Sequence, residues 1–408
     1  MKNNITFISI NFYPEDSAIG LYSTQMAEYL SEKGYEVSVI TGFPYYPEWE
    51  IRKEYIDKPK YITEKKENIT IYRYKQYVPS KPSFKTRTLH LLDFTWGSFF
   101  NLFKIGKSDL VISVVPFTST IFLGKVLSWR KNAKLWVHIQ DFEVDAILDS
   151  GIVSNTSGFK KTLFDMLFWI EKRLLNSADI TSTISYSMME KLKTKTTSPR
   201  YYFPNWIDDD FIDPKKAKRH PYLKSDRFKI LYSGNIGAKQ DWDFFLRVVE
   251  HFRHDTNIEF VVVGAGANKK WLVEQTNGID NVAHHMPVEY EVLPDLLCSA
   301  DMHILFQKND VIDAVMPSKL LGMMGSRRPS VVTGNMASEV ATVFEKSNGG
   351  LFFDSSDFQG VVDALERLSK SPAECEKMGS NARDYVVEHF SKEKVLSNFE
   401  EKVQSLLK

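Results

Sequence analysis

The feature that most constrains this 408-residue chain is an alternation that it runs through twice. Ile5 to Ile10 is a short apolar run, Leu21 to Lys33 has helical spacing, and Tyr35 to Ile40 alternates behind Gly34. Asp109 to Val115, Lys134 to Ile139 and Ile180 to Ser185 extend this first series. Lys229 to Tyr232 opens a second, followed by Glu259 to Val263, His303 to Phe306 and Ser330 to Thr333, with helical stretches between. Parallel strands need long crossovers, and a helix is the usual one, so each series predicts a doubly wound α/β sheet. The length also exceeds what one hydrophobic core usually supports. Two Rossmann-like domains follow, divided near residues 207 and 208, with the polar stretch Asp208 to Asp226 read as a linker.

Charge narrows the function. Lysine plus arginine equals aspartate plus glutamate at 52 each, which argues against a dedicated nucleic-acid binder. Cys298 and Cys375 have neither metal-ligand spacing nor a disulfide framework, as expected in a reducing compartment. Met1-Lys2-Asn3-Asn4 runs directly into the first apolar run, and no apolar stretch approaches the ~18 residues of a membrane span. A cytoplasmic protein is expected.

Several short stretches suggest anion binding. Met316-Pro317-Ser318-Lys319-Leu320-Leu321 reads as a helix start with Ser318 as N-cap, yet it places a lysine where the helix dipole prefers an anion. A bound phosphate reverses that balance, because Ser318, free backbone amides and the Lys319 ammonium could share its oxygens; a solvated lysine is the plainer alternative. Ser233-Gly234-Asn235-Ile236-Gly237-Ala238-Lys239-Gln240 repeats the theme, a glycine-bearing loop with a lysine before a helix. Gly20, at the end of the Tyr13-Pro14-Glu15 loop, either lets a ligand approach the backbone or simply makes a turn. His138 stands at a strand end near Asp141, Glu143 and Asp145, as a catalytic or a structural histidine. Gly264-Ala265-Gly266 lacks the third glycine of a dinucleotide fingerprint, since Lys269 holds that place, so NAD is not expected.

One stretch points elsewhere. From Ser80 to Lys107, Leu89, Leu92, Trp96, Phe99 and Phe103 recur at helical spacing among Lys81, Lys85, Arg87, Lys104 and Lys107, against the single acid Asp93. Phe159 to Leu175 repeats the pattern. Such helices either lie on an anionic membrane or are buried against the first sheet.

Six phrases then fall in order: Tyr13-Pro14-Glu15 through Gly20, Val137-His138-Ile139-Gln140-Asp141 through Asp145, Ser182 to Ser185, Phe203-Pro204-Asn205-Trp206, Tyr232 to Gly237 with Lys239-Gln240, and Met316 to Leu320. Together they resemble the family-4 retaining glycosyltransferases of the WcaI and WbuB type, which act in colanic acid and O-antigen assembly. The resemblance implies the GT-B fold: two Rossmann-like domains, 1–207 and 208–390, facing across a cleft, with a C-terminal helix, 391–408, packing back on the first. It implies a nucleotide-sugar donor on the second domain, no metal and no other cofactor. The acceptor would be a polyprenyl-diphosphate-linked saccharide at the inner-membrane surface, with the enzyme peripherally attached there. By resemblance Lys239 contacts the diphosphate, His138 lies near the donor sugar, and Gly20 lies beneath the diphosphate. Asn235 stands where many relatives carry arginine; Gly237, Ser318, Lys319 and Leu320 fall in the donor-binding phrases. Gly264 and Pro287 are expected near the base. The family's glutamate pair is absent, with Ala314 and Gly322 in its places, which leaves Asp313 as candidate for the sugar hydroxyls.

The expected reaction is transfer of an L-fucose-type sugar, foremost N-acetyl-L-fucosamine from its UDP donor. Alternatives are a GDP-L-fucose-using transferase of the same fold, a non-hydrolysing UDP-sugar 2-epimerase and a non-catalytic sugar-nucleotide binding protein.

Overall fold

A computed structural model describes residues 3–16, 18–81, 83–116, 118–142, 159–309 and 318–408. The chain divides into two compact units, Met1–Pro204 with Leu396–Lys408, and Asn205–Val395.

The first unit runs β1 (Asn4–Ile8), α1 (Ala18–Glu32), β2 (Glu36–Gly42), β3 (Tyr61–Lys66), β4 (Ile69–Tyr74), α2 (Phe84–Asn101) and β5 (Leu110–Val115). It continues through α3 (Thr118–Lys131), β6 (Lys134–Ile139), α4 (Phe159–Leu175), β7 (Ile180–Thr183), α5 (Tyr186–Lys195) and β8 (Arg200–Tyr202). The sheet order is β3-β4-β2-β1-β5-β6-β7-β8, parallel except for the β3–β4 hairpin. All six residues of β5 are buried, the mark of a strand covered on both faces. From β4 onward each crossover steps the same way along the sheet, whereas α1 steps back from β1 to β2. Right-handed crossovers therefore place α2, α3 and α4 on one face and α1 on the other. α2 packs on α3, and α3 on α4.

Helix α2 starts at a reciprocal capping box, Ser83 with Thr86. It buries His90, Phe94, Ser98 and Asn101, while Leu89, Leu92, Trp96 and Phe100 form an exposed stripe at helical spacing. The expectation of a buried helix thus holds for one face only.

The second unit runs β9 (Phe228–Ser233), α6 (Trp242–His251), β10 (Ile258–Val263), α7 (Lys269–Gln275), β11 (Val282–His285), α8 (Leu293–Ser299) and β12 (Met302–Phe306). Then come α9 (Ser318–Gly325), β13 (Ser330–Gly334), α10 (Glu339–Ser347), β14 (Gly350–Asp354), α11 (Phe358–Ser369), α12 (Pro372–Phe390) and α13 (Lys392–Leu407). The order β11-β10-β9-β12-β13-β14 is parallel throughout and reverses direction at β9 and β12.

The stretch expected as a linker is part of this unit. Ile212 and Leu223 lie in its core, and the Arg383 guanidinium donates to the carbonyls of Asp209 and Ile212. Apolar side chains interrupt the charged run and pull it inward. Ile207 belongs to the same core and donates its N–H to Phe390 O at 2.8 Å, so the division falls after Pro204. The last residues of α13 belong to the first unit, where the Phe399 ring stacks on Phe203 at 4.6 Å and meets Trp136 at 5.1 Å. All three rings are buried.

Candidate functional site

The second unit builds its candidate site at the carboxyl ends of β9 and β10, beside the point where the strand order reverses, where open α/β sheets bind ligands. Two glycine loops touch there through their backbones. A Cβ on Gly264 would lie 2.0 Å from Gly234 O, and one on Gly266 would lie 2.4 Å from Ile236 O. Gly234 and Gly266 also have φ of +137° and +150°, values that side chains oppose. Gly237 O accepts from Trp242 Nε1 at 2.9 Å and from Asn268 Nδ2 at 3.3 Å. The exposed Asn235 side chain lies over Gly266 and beside Gly237.

Lys319 enters the same place from α9. Its ammonium donates to Tyr232 Oη at 3.0 Å, sits 5.0 Å from that ring's centre, and would be 2.6 Å from a Cβ on Gly234. Tyr232 in turn donates to Asn235 O, and burial pushes its pKa up. The structure thus brings Asn235, Gly237, Gly264 and Lys319 together. Tyr232, which fixes the lysine from 87 positions away, was not read from the sequence.

Other expected residues stand differently. Ser318 is the first residue of α9, not the residue before it. Leu320 is fully buried in the core, because it lies on the inner side of α9, so its side chain does not face the loops. Lys239 is exposed in the turn before α6, but the helix end itself is capped by Asp241, whose carboxylate accepts from Phe244 N at 3.0 Å. Asp241 thus takes one amide of that helix end, and among the described residues no hydrogen bond or ion pair engages the Lys239 ammonium. Pro287 is exposed just past β11, and Asp313 lies outside the described residues. Lys269 donates to Gly264 O at 2.8 Å and His285 O at 3.1 Å, tying β10 to β11.

In the first unit, Gly20 is required by Glu15. A Cβ there would lie 2.7 Å from Glu15 Cβ. The buried Glu15 carboxylate accepts from Tyr45 N and Tyr46 N at 2.8 Å each and from Asn11 Nδ2 at 2.9 Å. Burial pushes its pKa up against those hydrogen bonds. Arg73, fully buried, donates to Glu64 at 2.6 Å, to Gly42 O at 3.1 Å and to Tyr13 O. Neither charged residue was singled out in the sequence.

His138 does not stand at the surface. It is 1% exposed, its Nδ1 lies 2.9 Å from Ser182 Oγ, its Nε2 lies 2.8 Å from Gln140 Nε2, and its ring packs on Phe203. An amide donor at Nε2 leaves the proton on Nδ1, donated to Ser182. Burial pushes the pKa down to about 3, so the ring is neutral at pH 7. A direct approach to a donor sugar would need Gln140 to move aside. Among the described residues no group of three or more His, Cys, Asp or Glu side chains could hold a metal ion.

Comparison with known proteins agrees with this geometry. The family described as Glycosyl transferase 4-like domain matches residues 17–206, and Glycosyl transferases group 1 matches 227–371. The putative colanic acid biosynthesis glycosyl transferase WcaI of Escherichia coli K12 is 33% identical, with 97% of this chain and 98% of that protein covered. The chain is a glycosyltransferase of the group 1, family 4-like kind. The transferase also superposes on sucrose-phosphate synthase from Thermosynechococcus elongatus, with a TM-score of 0.72 at 15% identity over 99% of both chains. For Anabaena HepE in complex with UDP the TM-score is 0.67 at 12% identity, over 99% of this chain and 100% of that one. These likenesses carry the fold: the transferase has the two Rossmann-like units of GT-B enzymes. With the match to WcaI, it is a transferase of bacterial polysaccharide biosynthesis.

Proposed function

We propose that the enzyme moves an L-fucose-type sugar, foremost N-acetyl-L-fucosamine from UDP, onto a polyprenyl-diphosphate-linked saccharide at the inner-membrane surface, with retention of anomeric configuration. The observation that carries the donor class is the convergence of the Gly234 and Gly264 loops with the Lys319 ammonium at the strand ends. Close backbone approach and a fixed cation suit a diphosphate, whose charge grows as the sugar leaves. The UDP held by HepE supports uridine as the base. Lys239, exposed beside these loops in the chain, supplies a second cation on this reading, and no metal is required. His138 positions the sugar side of the first unit, its neutral ring set by Ser182 and Gln140.

The test is transfer from UDP-N-acetyl-L-fucosamine, with GDP-L-fucose as competitor, to a short-chain polyprenyl-diphosphate saccharide, with product anomers assigned by NMR. Calorimetry of Lys239→Ala and Lys319→Ala with UDP and with uridine isolates the cation role. We expect UDP binding to collapse while uridine binding persists; equal losses for both would overturn it. Activity should survive chelator, and a strict divalent-ion requirement would end the metal-free reading.

A further inference from the structure

The first unit's outer helix layer carries more than the α2 stripe. On α3, Phe122 and Trp129 are exposed on the face away from the sheet, seven residues apart, and Trp129 is 80% exposed. On α4, Met166 and Trp169 do the same, with the Arg173 guanidinium 5.2 Å from the Trp169 ring centre. Trp96, 70% exposed, lies in the α2 stripe, and Phe103 continues it beyond the helix end. Because α2, α3 and α4 pack side by side on one face of the sheet, these stripes share one surface. Single exposed apolar residues need no explanation, but adjoining stripes on neighbouring helices mark a contact surface.

Charge says what would cover it. Lys85, Lys104, Lys125, Arg130 and Lys172 are exposed on the same layer. Arg130 also lies 4.5 Å from the Phe103 ring centre, its guanidinium anchored on Leu102 O at 3.0 Å. α3 contains no acid, and the sole acid of α2, Asp93, is tied to Tyr74 Oη at 2.9 Å and Tyr77 N at 2.6 Å. Of the two acids of α4, Glu171 is buried against Lys195 at 2.6 Å while Asp165 is exposed. Rings amid long cationic side chains that outnumber the one exposed carboxylate of the three helices, Asp165, fit the boundary between anionic headgroups and acyl chains.

We infer that the outer face of α2, α3 and α4 is a docking surface for an anionic lipid bilayer, with Trp96, Trp129 and Trp169 as its inserted anchors. The inference deepens the lipid-linked acceptor reading and rests on it for its purpose, though the surface stands on its own residues. Binding then has two components. Cations draw the protein to anionic lipid, on the order of fivefold per charge and lost in salt. Ring insertion holds it there, on the order of tenfold per tryptophan, and resists salt.

The experiment uses the full chain with vesicles of phosphatidylcholine alone, or of phosphatidylcholine and phosphatidylglycerol in equal parts. Wild type should float with the mixed vesicles, with blue-shifted tryptophan emission. The triple variant Trp96→Ser, Trp129→Ser, Trp169→Ser should keep its melting temperature and its turnover of a water-soluble short-chain acceptor, lose the salt-resistant flotation, and retain at most a weakened flotation at low salt. A Lys125→Glu, Arg130→Glu variant should lose flotation at low salt. Flotation undiminished in the triple variant overturns the inference, as does a wild-type dimer in sedimentation that the triple variant dissolves, since a second copy would then be the occupant. Absent transfer to every acceptor, with flotation intact, would instead defeat the proposed reaction and leave the docking surface standing.

Discussion

Both units must hold loops at the carboxyl ends of a parallel sheet, and they do so by opposite means. In the first unit the loops are held by buried charge: Glu15 grips Tyr45, Tyr46 and Asn11, and Arg73 grips Gly42 and Tyr13. In the second they are held by missing side chains, with Gly264 against Gly234 O and Gly266 against Ile236 O. A charge clamp tolerates space around it but fails when one partner goes. The glycine contact, joined by backbone hydrogen bonds from Gly234 N to Val263 O and from Ile236 N to Ala265 O, has no side-chain bond to lose but admits no added atom. The outer helix layers differ in the same spirit. Those of the second unit are capped by their own carboxylates and hydroxyls, Asp241, Ser338 and Asp357, and its exposed large apolar groups are scattered. Those of the first gather theirs on adjoining helices.

The contrast can be broken by substitution, starting where the effect is largest. Arg73→Met should destabilise the first unit by about 3–5 kcal/mol, because Glu64 and two carbonyls lose their buried donor. Denaturant melts followed through each unit should place the loss there. Gly264→Ala should cost about 3 kcal/mol in the second unit, since the obstacle is backbone, and should abolish UDP binding. A loss under ~1 kcal/mol would mean the two loops separate easily.

Acid should treat the units alike. His138 in the first and His303 in the second are each fully buried with pKa pushed down to about 3 from 6.5. Above pH 6.5 folded and unfolded chains both hold these rings neutral. As pH falls from 6.5 toward 3 the unfolded chain takes up protons that the folded one refuses, so stability drops. His138→Gln and His303→Gln should each flatten that slope by about one proton in its own unit, in urea melts across the range. The smallest effect is expected from Asp241→Ala, about 1 kcal/mol for a lost cap. It would also free the N-terminus of α6 beside Lys239, so tighter UDP binding in this variant would sharpen the distinction between carboxylate and ligand at that pole.

Much of this was legible in the sequence where local chemistry decides. The two strand series, the oddly placed Lys319 and the glycines of the Gly234 loop were visible because each breaks or obeys a short-range rule. The partner of Lys319 was not, since Tyr232 meets it only through the adjacency of β9 and β12. His138 is open to a catalytic or a structural reading because acids follow it in sequence; the strand Lys134–Ile139 was legible, but the Ser182, Gln140 and Phe203 that enclose the ring come together only in the fold. Arg73 does carry a signal in the sequence, since it shares the parity of Ile69 and Ile71, the buried side of β4. An arginine on that side needs partners from elsewhere in the chain, and no local pattern names them. Trp129 leaves less of a mark, since its stripe on α3 is only Phe122 and Trp129, seven residues apart.

The return of α13 reverses the order of maturation. Trp136 and Phe203 emerge from the ribosome long before Phe399, the ring that closes over them, so the half made first is finished last. A premature stop or a bulky fusion at the carboxyl terminus would therefore wound the amino-terminal half of the enzyme, far from the lesion in sequence.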